Sequence, residues 1–281
     1  MIQRSYEKSK YGNLYLVPTP IGNLDDITYR GVKVLQEVDV IFSEDTRVTA
    51  SLLEYLHIKK KLIALHDHNE ELVKEKVIEF LKEGKLVALV TDRGTPIISD
   101  PGFKTVKFAI DSGYNVVSLP GATAFVPALV VSGINPKPFL FYGFLNSKDS
   151  KKKKELMLLQ DREETIIFYE APHRIINTLE MMLEVFGDRN ISISRELTKK
   201  FETIYRGKIS EVIKSISLKG EFVIVVEGNK ESKIEENITI KEAVNLYIKS
   251  GFDVMTSIKK VAKDRGLPKN DIYKEYHKED K

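Results

Sequence analysis

Cysteine is absent from the 281-residue chain, which excludes a disulfide framework, a thiolate metal site and a thiol nucleophile and points to a reducing compartment. No uninterrupted apolar run is long enough to cross a bilayer, and Met1 to Lys10 is polar and charged where a secretory leader would carry an apolar segment. The sequence therefore reads as that of a soluble, cytoplasmic protein. A strong charge of one sign is missing too: 44 basic and 41 acidic residues leave a net charge of +3, so a nucleic-acid site has to be a local patch rather than a global field. Neither the dinucleotide fingerprint G-x-G-x-x-G nor the phosphate loop G-x-x-x-x-G-K-[ST] occurs, which argues against a nicotinamide enzyme and against an NTPase. No internal repeat is found.

With 42% hydrophobic residues, the chain can bury a substantial core, and its length favours two modest domains over one large one. From Asn13 to Pro120 short apolar runs alternate with helical patterns, the signature of a parallel sheet with crossover helices. The runs are Leu14 to Val17, Val38 to Phe42, Leu62 to Leu65, Leu86 to Val90 and Val116 to Leu119. Val73, Val77, Phe80 and Leu81 mark one helix, with Asn69 as its candidate cap and Gly84 as its stop, and Asp100-Pro101 is expected to open another. Pro136 and Pro138 break the chain before a second α/β unit of mixed pairing: strands at Phe139 to Phe144, Thr165 to Tyr169, Ile191 to Arg195 and Glu221 to Glu227, a helix from His173 to Phe186, and a hairpin near Phe201 to Lys208. Residues 231–281 read as a small helical extension with helix-turn-helix spacing, either a nucleic-acid contact or a packing or dimer element. The expected division is 1–122, 123–230 and 231–281.

Strand ends carry the chemistry, because ligands of open α/β sheets bind outside the carboxyl ends of the strands. Three of these ends have unusual turns: Val17 to Asn23 with two prolines and Gly22, Thr91 to Gly102, and Pro120 to Ala124. Together with Glu44-Asp45-Thr46-Arg47, Tyr169-Glu170-Ala171-Pro172-His173-Arg174 and Arg195-Glu196-Leu197-Thr198-Lys199, the second and third of them resemble, in order and spacing, the motifs of bacterial ribosomal RNA 2'-O-ribose cytidine methyltransferases of the tetrapyrrole methylase superfamily. The match covers about residues 12 to 228. Arg93 departs from it, standing where a small residue is expected.

What the resemblance implies is an α/β fold of two tetrapyrrole-methylase-type domains, S-adenosylmethionine in the cleft between them, a homodimer, and small-subunit ribosomal RNA as substrate. Carried over by position, the cofactor contacts are Pro18 and Thr19, then Gly94, Thr95 and Ile98, then Thr123 and Ala124, with Tyr169 and Leu197 closing the cleft from the second domain. Methyl transfer to a ribose hydroxyl needs alignment, exclusion of water and a proton acceptor, and no metal. Acceptors near the expected cleft are Glu44, Asp45, Asp92, Asp100, Glu170, His173 and Glu196, while Arg47, Arg174, Arg195 and Lys199 can position phosphates. Glu170, His173 and Arg174 are the favoured catalytic set; the alternative is that Glu170 caps the following helix and pairs with Arg174.

His66-Asp67-His68 lacks a third ligand at a sensible spacing and reads as a polar loop or the start of a helix. Lys148 and Lys151 to Lys154 form the clearest basic patch, extended by Lys199 and Lys200. Two other functions remain open at this stage: methylation of a tetrapyrrole, and a non-catalytic RNA-binding or ribosome-assembly role.

Overall fold

Each apolar run becomes a strand of one of two sheets. The computed structural model describes residues 2–5, 11–230, 238–249 and 252–278, so Met1 and residues 6–10 of the segment weighed as a leader, and 231–237 at the start of the extension, lie outside the described residues. The chain divides into two compact units, 1–229 and 230–281.

In the larger unit, β1 (Asn13–Leu16), β2 (Val40–Ser43), β3 (Lys61–Ala64), β4 (Val87–Val90) and β5 (Asn115–Ser118) pair in parallel in the order β3-β2-β4-β1-β5. Both faces are buried, as parallel sheets require. Leu14, Leu16, Val40, Phe42, Val87 and Leu89 pack with Val77 and Leu81 of α3 (Glu70–Lys82) and Ala109 of α4 (Phe103–Asp111). On the opposite face, Ile41, Ala88 and Val90 pack with Val34 and Leu35 of α1 (Tyr29–Glu37) and Leu53 of α2 (Thr46–Tyr55). Thr28 caps α1 by accepting from the Gly31 N–H at 3.0 Å, and Asp45 caps α2 by accepting from the Arg47 N–H at 2.8 Å.

Two local expectations are corrected. Asn69 stands at the N-cap position of α3 without capping it; its amide instead accepts from the His66 N–H at 2.8 Å and donates to the Ala64 carbonyl at 3.0 Å, stapling the loop that precedes the helix. Nor does α4 open at Asp100-Pro101. It starts at Phe103, because Ser99 (φ 70°) and Gly102 (φ 118°) keep the chain turning in left-handed backbone until then.

The second sheet comprises β6 (Phe139–Phe144), β7 (Thr165–Glu170), β8 (Asn190–Arg195), β9 (Thr203–Lys208) and β10 (Phe222–Val226), in the order β6-β7-β10-β8-β9. Only β6 and β7 run parallel, so the mixed pairing expected from sequence is present. One face, with Ile166, Phe168, Ile191, Ile193 and Ile224, is covered by α6 (Asp149–Leu159), α7 (Ile175–Phe186) and α8 (Ile209–Val212). The other, with Ile167, Tyr169, Val223 and Val225, is covered by Ile21 from the loop after β1 and by Ala128 and Leu129 of α5 (Phe125–Val131).

In the smaller unit, α9 (Ile240–Lys249), α10 (Val254–Asp264) and α11 (Lys269–Tyr276) close around Ala243, Val244, Tyr247, Ile258, Val261 and Ile272. Glu242 accepts from the Thr239 N–H at 2.8 Å, while the Thr239 hydroxyl oxygen accepts from the Glu242 N–H at 3.2 Å; together they form a capping box.

The turn after β5 lies against the first loop so closely that a Cβ on Gly121 would fall 2.5 Å from Cβ of Pro18. Pro18 is a rigid ring and cannot swing aside, so Gly121→Ala is expected to cost about 1–3 kcal/mol, read as a lower urea midpoint. An unchanged midpoint would show that the two loops separate freely.

Candidate active site

Strands β4, β1 and β5 are neighbours, so the three unusual turns singled out from sequence emerge side by side at one sheet edge. They are tied to one another. Thr19 and Gly94 exchange backbone hydrogen bonds at 2.9 and 3.0 Å, the Thr19 hydroxyl donates to the Thr91 carbonyl at 3.0 Å, and the Thr95 hydroxyl donates to the Ala122 carbonyl at 2.9 Å. Between these loops and the second sheet lies a cleft of about 340 Å³, near the lower end for small-molecule sites.

Of the residues expected to contact a cofactor, Gly94, Thr95, Ile98, Thr123, Ala124, Tyr169 and Leu197 line the cleft. Pro18 and Thr19 do not; both are buried behind the lining as the brace of the loops, and Ile21 is the residue of the first loop that reaches the cleft. The second sheet also contributes Phe144, Ser194, Val223 and Glu221, which sequence reasoning did not single out. Period-two alternation was the available signal for two of them, since Ser194 and Val223 lie on the sheet face that carries Tyr169.

The hydroxyl oxygens of Thr123 and Ser194 are buried without a hydrogen-bond partner, and both residues line the cleft. Buried polar atoms left unpaired cost free energy unless a ligand or water satisfies them. Backbone strain gathers here as well. Ile97 (φ 78°) and Ser99 (φ 70°) flank Ile98, while Glu196 (φ 53°) and Thr198 (φ 65°) flank Leu197 across the cleft. A β-branched residue in left-handed backbone is a genuine outlier and costs about 1–3 kcal/mol.

The favoured catalytic set is only partly brought together. Glu170 lines the cleft, Arg174 lies behind it, and His173 is exposed outside the lining. The Glu170 carboxylate is fully committed. It accepts from the Ala171 N–H at 2.9 Å and from the Thr178 hydroxyl at 2.5 Å, and Nε of Arg174 stands 3.1 Å away. Arg174 also donates to the carbonyls of Leu145 at 2.7 Å and Asn146 at 3.2 Å. Behind them Lys152, 1% exposed, donates to Asn177 at 2.7 Å and to Thr178 at 3.1 Å. This is the pairing that sequence reading held as its alternative for Glu170.

Several other candidates are also spoken for. Asp45 and Arg47 form an ion pair at 2.6 Å, and the guanidinium holds the Asp45 carboxyl down at about 2. Arg195 donates to the Lys219 and Phe201 carbonyls. Lys199 bridges Glu196 and Glu221, each at 2.9 Å, and Arg93 reaches across from the β4 loop to the other oxygen of Glu221. The departure at Arg93 therefore points out of its loop and closes a charge chain over the cleft mouth. The basic patch shrinks likewise: Lys152 is buried and Lys153 pairs with Glu184, leaving Lys148, Lys151 and Lys154 exposed. His66 and His68 stand with ring centroids 6.0 Å apart, in the loop stapled by Asn69.

Asp100 behaves differently. Burial first, then repulsion from Glu44 and more weakly from Asp92 and Asp67, push its carboxyl up to about 7, against an opposing hydrogen bond from Thr91. Tyr169 is pushed up to about 12, mainly by burial, although its phenol oxygen faces the backbone N–H groups of Phe125 and Ala124.

A model for the tetrapyrrole (corrin/porphyrin) methylases matches residues 13–213. "Ribosomal RNA small subunit methyltransferase I" of Bacillus subtilis is 51% identical over 279 residues, 96% of each chain. The protein of that name from Halalkalibacterium halodurans is 44% identical over 287 residues, 99% of each chain. Among solved structures, diphthine synthase superposes with a TM-score of 0.58 at 16% identity, covering 77% of this chain and 90% of that one. The uroporphyrin-III-C-methyltransferase of Thermus thermophilus gives 0.56 at 19%, covering 77% and 94%. At such identities the structural likeness establishes the fold, and the mixed α/β architecture with two sheets and C-terminal helices agrees with it.

Two measurements test the charges. Arg174→Ala would leave Glu170 buried and unpaired, and an expected loss of about 3–5 kcal/mol in chemical denaturation would identify the pair as structural; a loss of activity at full stability would return it to the chemistry. Asp100 titrates higher folded than unfolded, so its protonated form stabilises the fold below about pH 4, and that contribution is lost as pH rises towards 7. Asp100→Asn should thus gain on the wild type between pH 4 and 8, by about 1–2 kcal/mol once solvent screening is allowed for. A difference that does not change with pH would contradict the shift.

Proposed function

The chain belongs to the tetrapyrrole methylase family, and from that premise we propose that it transfers a methyl group from S-adenosylmethionine to the 2'-hydroxyl of a cytidine ribose in small-subunit ribosomal RNA. The single observation that carries this reading is the cleft, where Gly94, Thr95, Thr123 and Ala124 offer backbone and small side chains, and where two unpaired hydroxyls await a polar ligand. Those features suit a molecule with both an apolar and a polar end. Ile21, Ile98, Phe144 and Leu197 would hold its apolar parts, and Thr123 and Ser194 its hydrogen-bonding groups. When bound, the cofactor would supply an electrophilic methyl to the ribose oxygen, and the protein would have to let one proton leave that oxygen.

The protein's own work is alignment and exclusion of water. Glu170 and Arg174 hold the turn at 171–173 against the cleft, and we assign them a positioning role there, with exposed His173 turned towards the RNA. Lys148, Lys151 and Lys154 are the free phosphate-binding candidates. The same reading includes a homodimer, as the family resemblance implies, and a place in the cytoplasm, as the cysteine-free composition suggests. No helix among the described residues is long and apolar enough to cross a membrane. Tetrapyrrole methylation, the competing substrate class, rests here on fold likeness alone.

Incubation of the enzyme with radiolabelled S-adenosylmethionine and undermethylated small ribosomal subunits tests the proposal. The expected product is label at one ribose that resists alkaline cleavage, with affinity falling with salt at a log–log slope of about −2 to −3 for three phosphate contacts. Label on a corrin or porphyrin instead of RNA would overturn the substrate.

A further inference from the structure

Resting on the methyl-transfer reading above, we propose that the outward face of α11 is an RNA-docking surface, where unpaired bases of the small-subunit ribosomal RNA stack on Tyr273 and His277 while Lys269 and Lys274 take the neighbouring phosphates. The helix is held to the smaller unit along one side. Ile272 is fully buried there, and Tyr276 packs beside it with its hydroxyl donating to the Asn245 side chain at 3.2 Å. At 3.6 residues per turn, the side turned away consists of two adjacent rows, Lys269-Tyr273-His277 and Asn270-Lys274-Lys278. All six residues are exposed.

This face carries three lysines and no carboxylate. Asp271 and Glu275 occupy the next row, where Glu275 pairs with Lys278 at 3.5 Å. Among the described residues, Lys269 and Lys274 make no ion pair. The remaining carboxylates of residues 238–278 are spent on the unit's own architecture. Glu242 closes the capping box of α9, Asp253 accepts from the N–H and hydroxyl of Thr256 at 3.0 and 2.6 Å, and Asp264 accepts from the Tyr247 hydroxyl at 2.5 Å. Positive charge is therefore left facing outward, and polyanions are what it complements.

The rings narrow the choice of polyanion. Tyr273 is 45% exposed, and its ring centroid lies 4.4 Å from that of His277, so one turn of helix presents two ring systems to solvent. Single-stranded nucleic acid is held by this combination, with rings for the bases and cations for the backbone. The joint between α10 and α11, with Gly266 at φ 61°, has the spacing of a helix-turn-helix. A DNA-reading helix of that type enters a major groove, but the major groove of A-form RNA is too deep and narrow to be read by side chains. Contact with RNA thus falls to unpaired nucleotides, which exposed rings recognise. A protein partner fits less well, because neither row contains an aliphatic side chain to anchor it. The surface belongs to a different compact unit from Lys148, Lys151 and Lys154, so it adds a second grip on the same RNA and acts on affinity rather than on the methyl-transfer step.

The test uses the full chain as wild type, Tyr273→Ala, Tyr273→Phe and the double variant Lys269→Gln/Lys274→Gln. Each is assayed for methylation of undermethylated small subunits, for binding to them across a salt series, and for thermal unfolding. Tyr273→Ala should raise KM for the subunit by about tenfold with the loss confined to KM, and Tyr273→Phe should restore it. The double variant should also raise KM and flatten the log–log salt slope by about 1.5, a contribution additional to that of the three lysines of the larger unit. A photo-crosslinking benzoylphenylalanine in place of Tyr273 should attach to ribosomal RNA. A KM within twofold of wild type in both Tyr273→Ala and the double variant, a loss that falls on kcat, or a salt slope unchanged by loss of the lysines would each overturn the proposal. So would a lowered unfolding temperature in Tyr273→Ala, which would make the ring part of the core, or a crosslink to a ribosomal protein or to a second copy of this chain. All of these outcomes leave the methyl-transfer reading intact. A wild type that binds S-adenosylmethionine and labels no RNA would overturn that reading, and the proposal with it.

Discussion

The second sheet has two apolar faces, and only one is covered by helices of its own half of the fold. The other, carrying Ile167, Tyr169, Val223 and Val225, is buried by Ile21 and by Ala128 and Leu129 of α5, all of which leave the carboxyl edge of the first sheet. Burying side chains of this size is worth about 1.5–3 kcal/mol each, so the two sheets are driven together by the elements that form the site. The cleft is the place where that cover stops. Beyond Ile21 and α5 the sheet face continues to Ser194 and Tyr169, and Ile98, Phe144 and Leu197 line the space there without filling it.

A gap of this kind would collapse if its rim were soft. The rim is held by bonds between loops rather than within them: Thr19 with Gly94 and Thr91, and Thr95 with Ala122. These contacts over-determine the backbone and so tolerate left-handed Ile97 and Ser99, which a free loop would relax. The Arg93–Glu221–Lys199–Glu196 chain adds little to stability, because exposed ion pairs contribute about 0–1 kcal/mol. Its effect is electrostatic. It neutralises the carboxylates of Glu196 and Glu221 at the mouth while the carboxylates deeper in the first sheet's edge stay unneutralised.

Strands and helices of both sheets were legible because burial on both faces writes continuous apolar runs, and crossover helices write period 3.6. Order along the sheet was not, since nothing local says that β4 and not β2 lies beside β1. That order is what makes three separate turns into one site. The lysine run was misjudged as a whole for a reason visible in retrospect: Lys152, Leu156 and Leu159 recur at i, i+4 and i+7, so the same helical periodicity that buries the leucines buries the lysine. Asp100-Pro101 resembled a helix start in composition, but the turn needed two left-handed residues first.

The carboxylates divide by partner rather than by residue type, and sequence offered that division only for Glu170, whose pairing with Arg174 was one of two readings. Glu170 ends a strand four residues before Arg174, and the turn between them brings the pair together over Thr178. Asp100 lies in a loop where burial and the carboxylates of Glu44, Asp92 and Asp67, from other strand ends of the same sheet edge, raise its proton affinity. Parallel topology contributes to this, because it gathers every carboxyl-terminal loop on one side and so brings Glu44, Asp67, Asp92 and Asp100 together, while Arg47 and Arg93 of the same edge pair with Asp45 and Glu221. Such crowding raises proton affinity until one member gives way, and the most deeply placed one does so first. The same topology that positions the cofactor loops therefore sets a carboxyl group beside them that can change its charge near neutral pH.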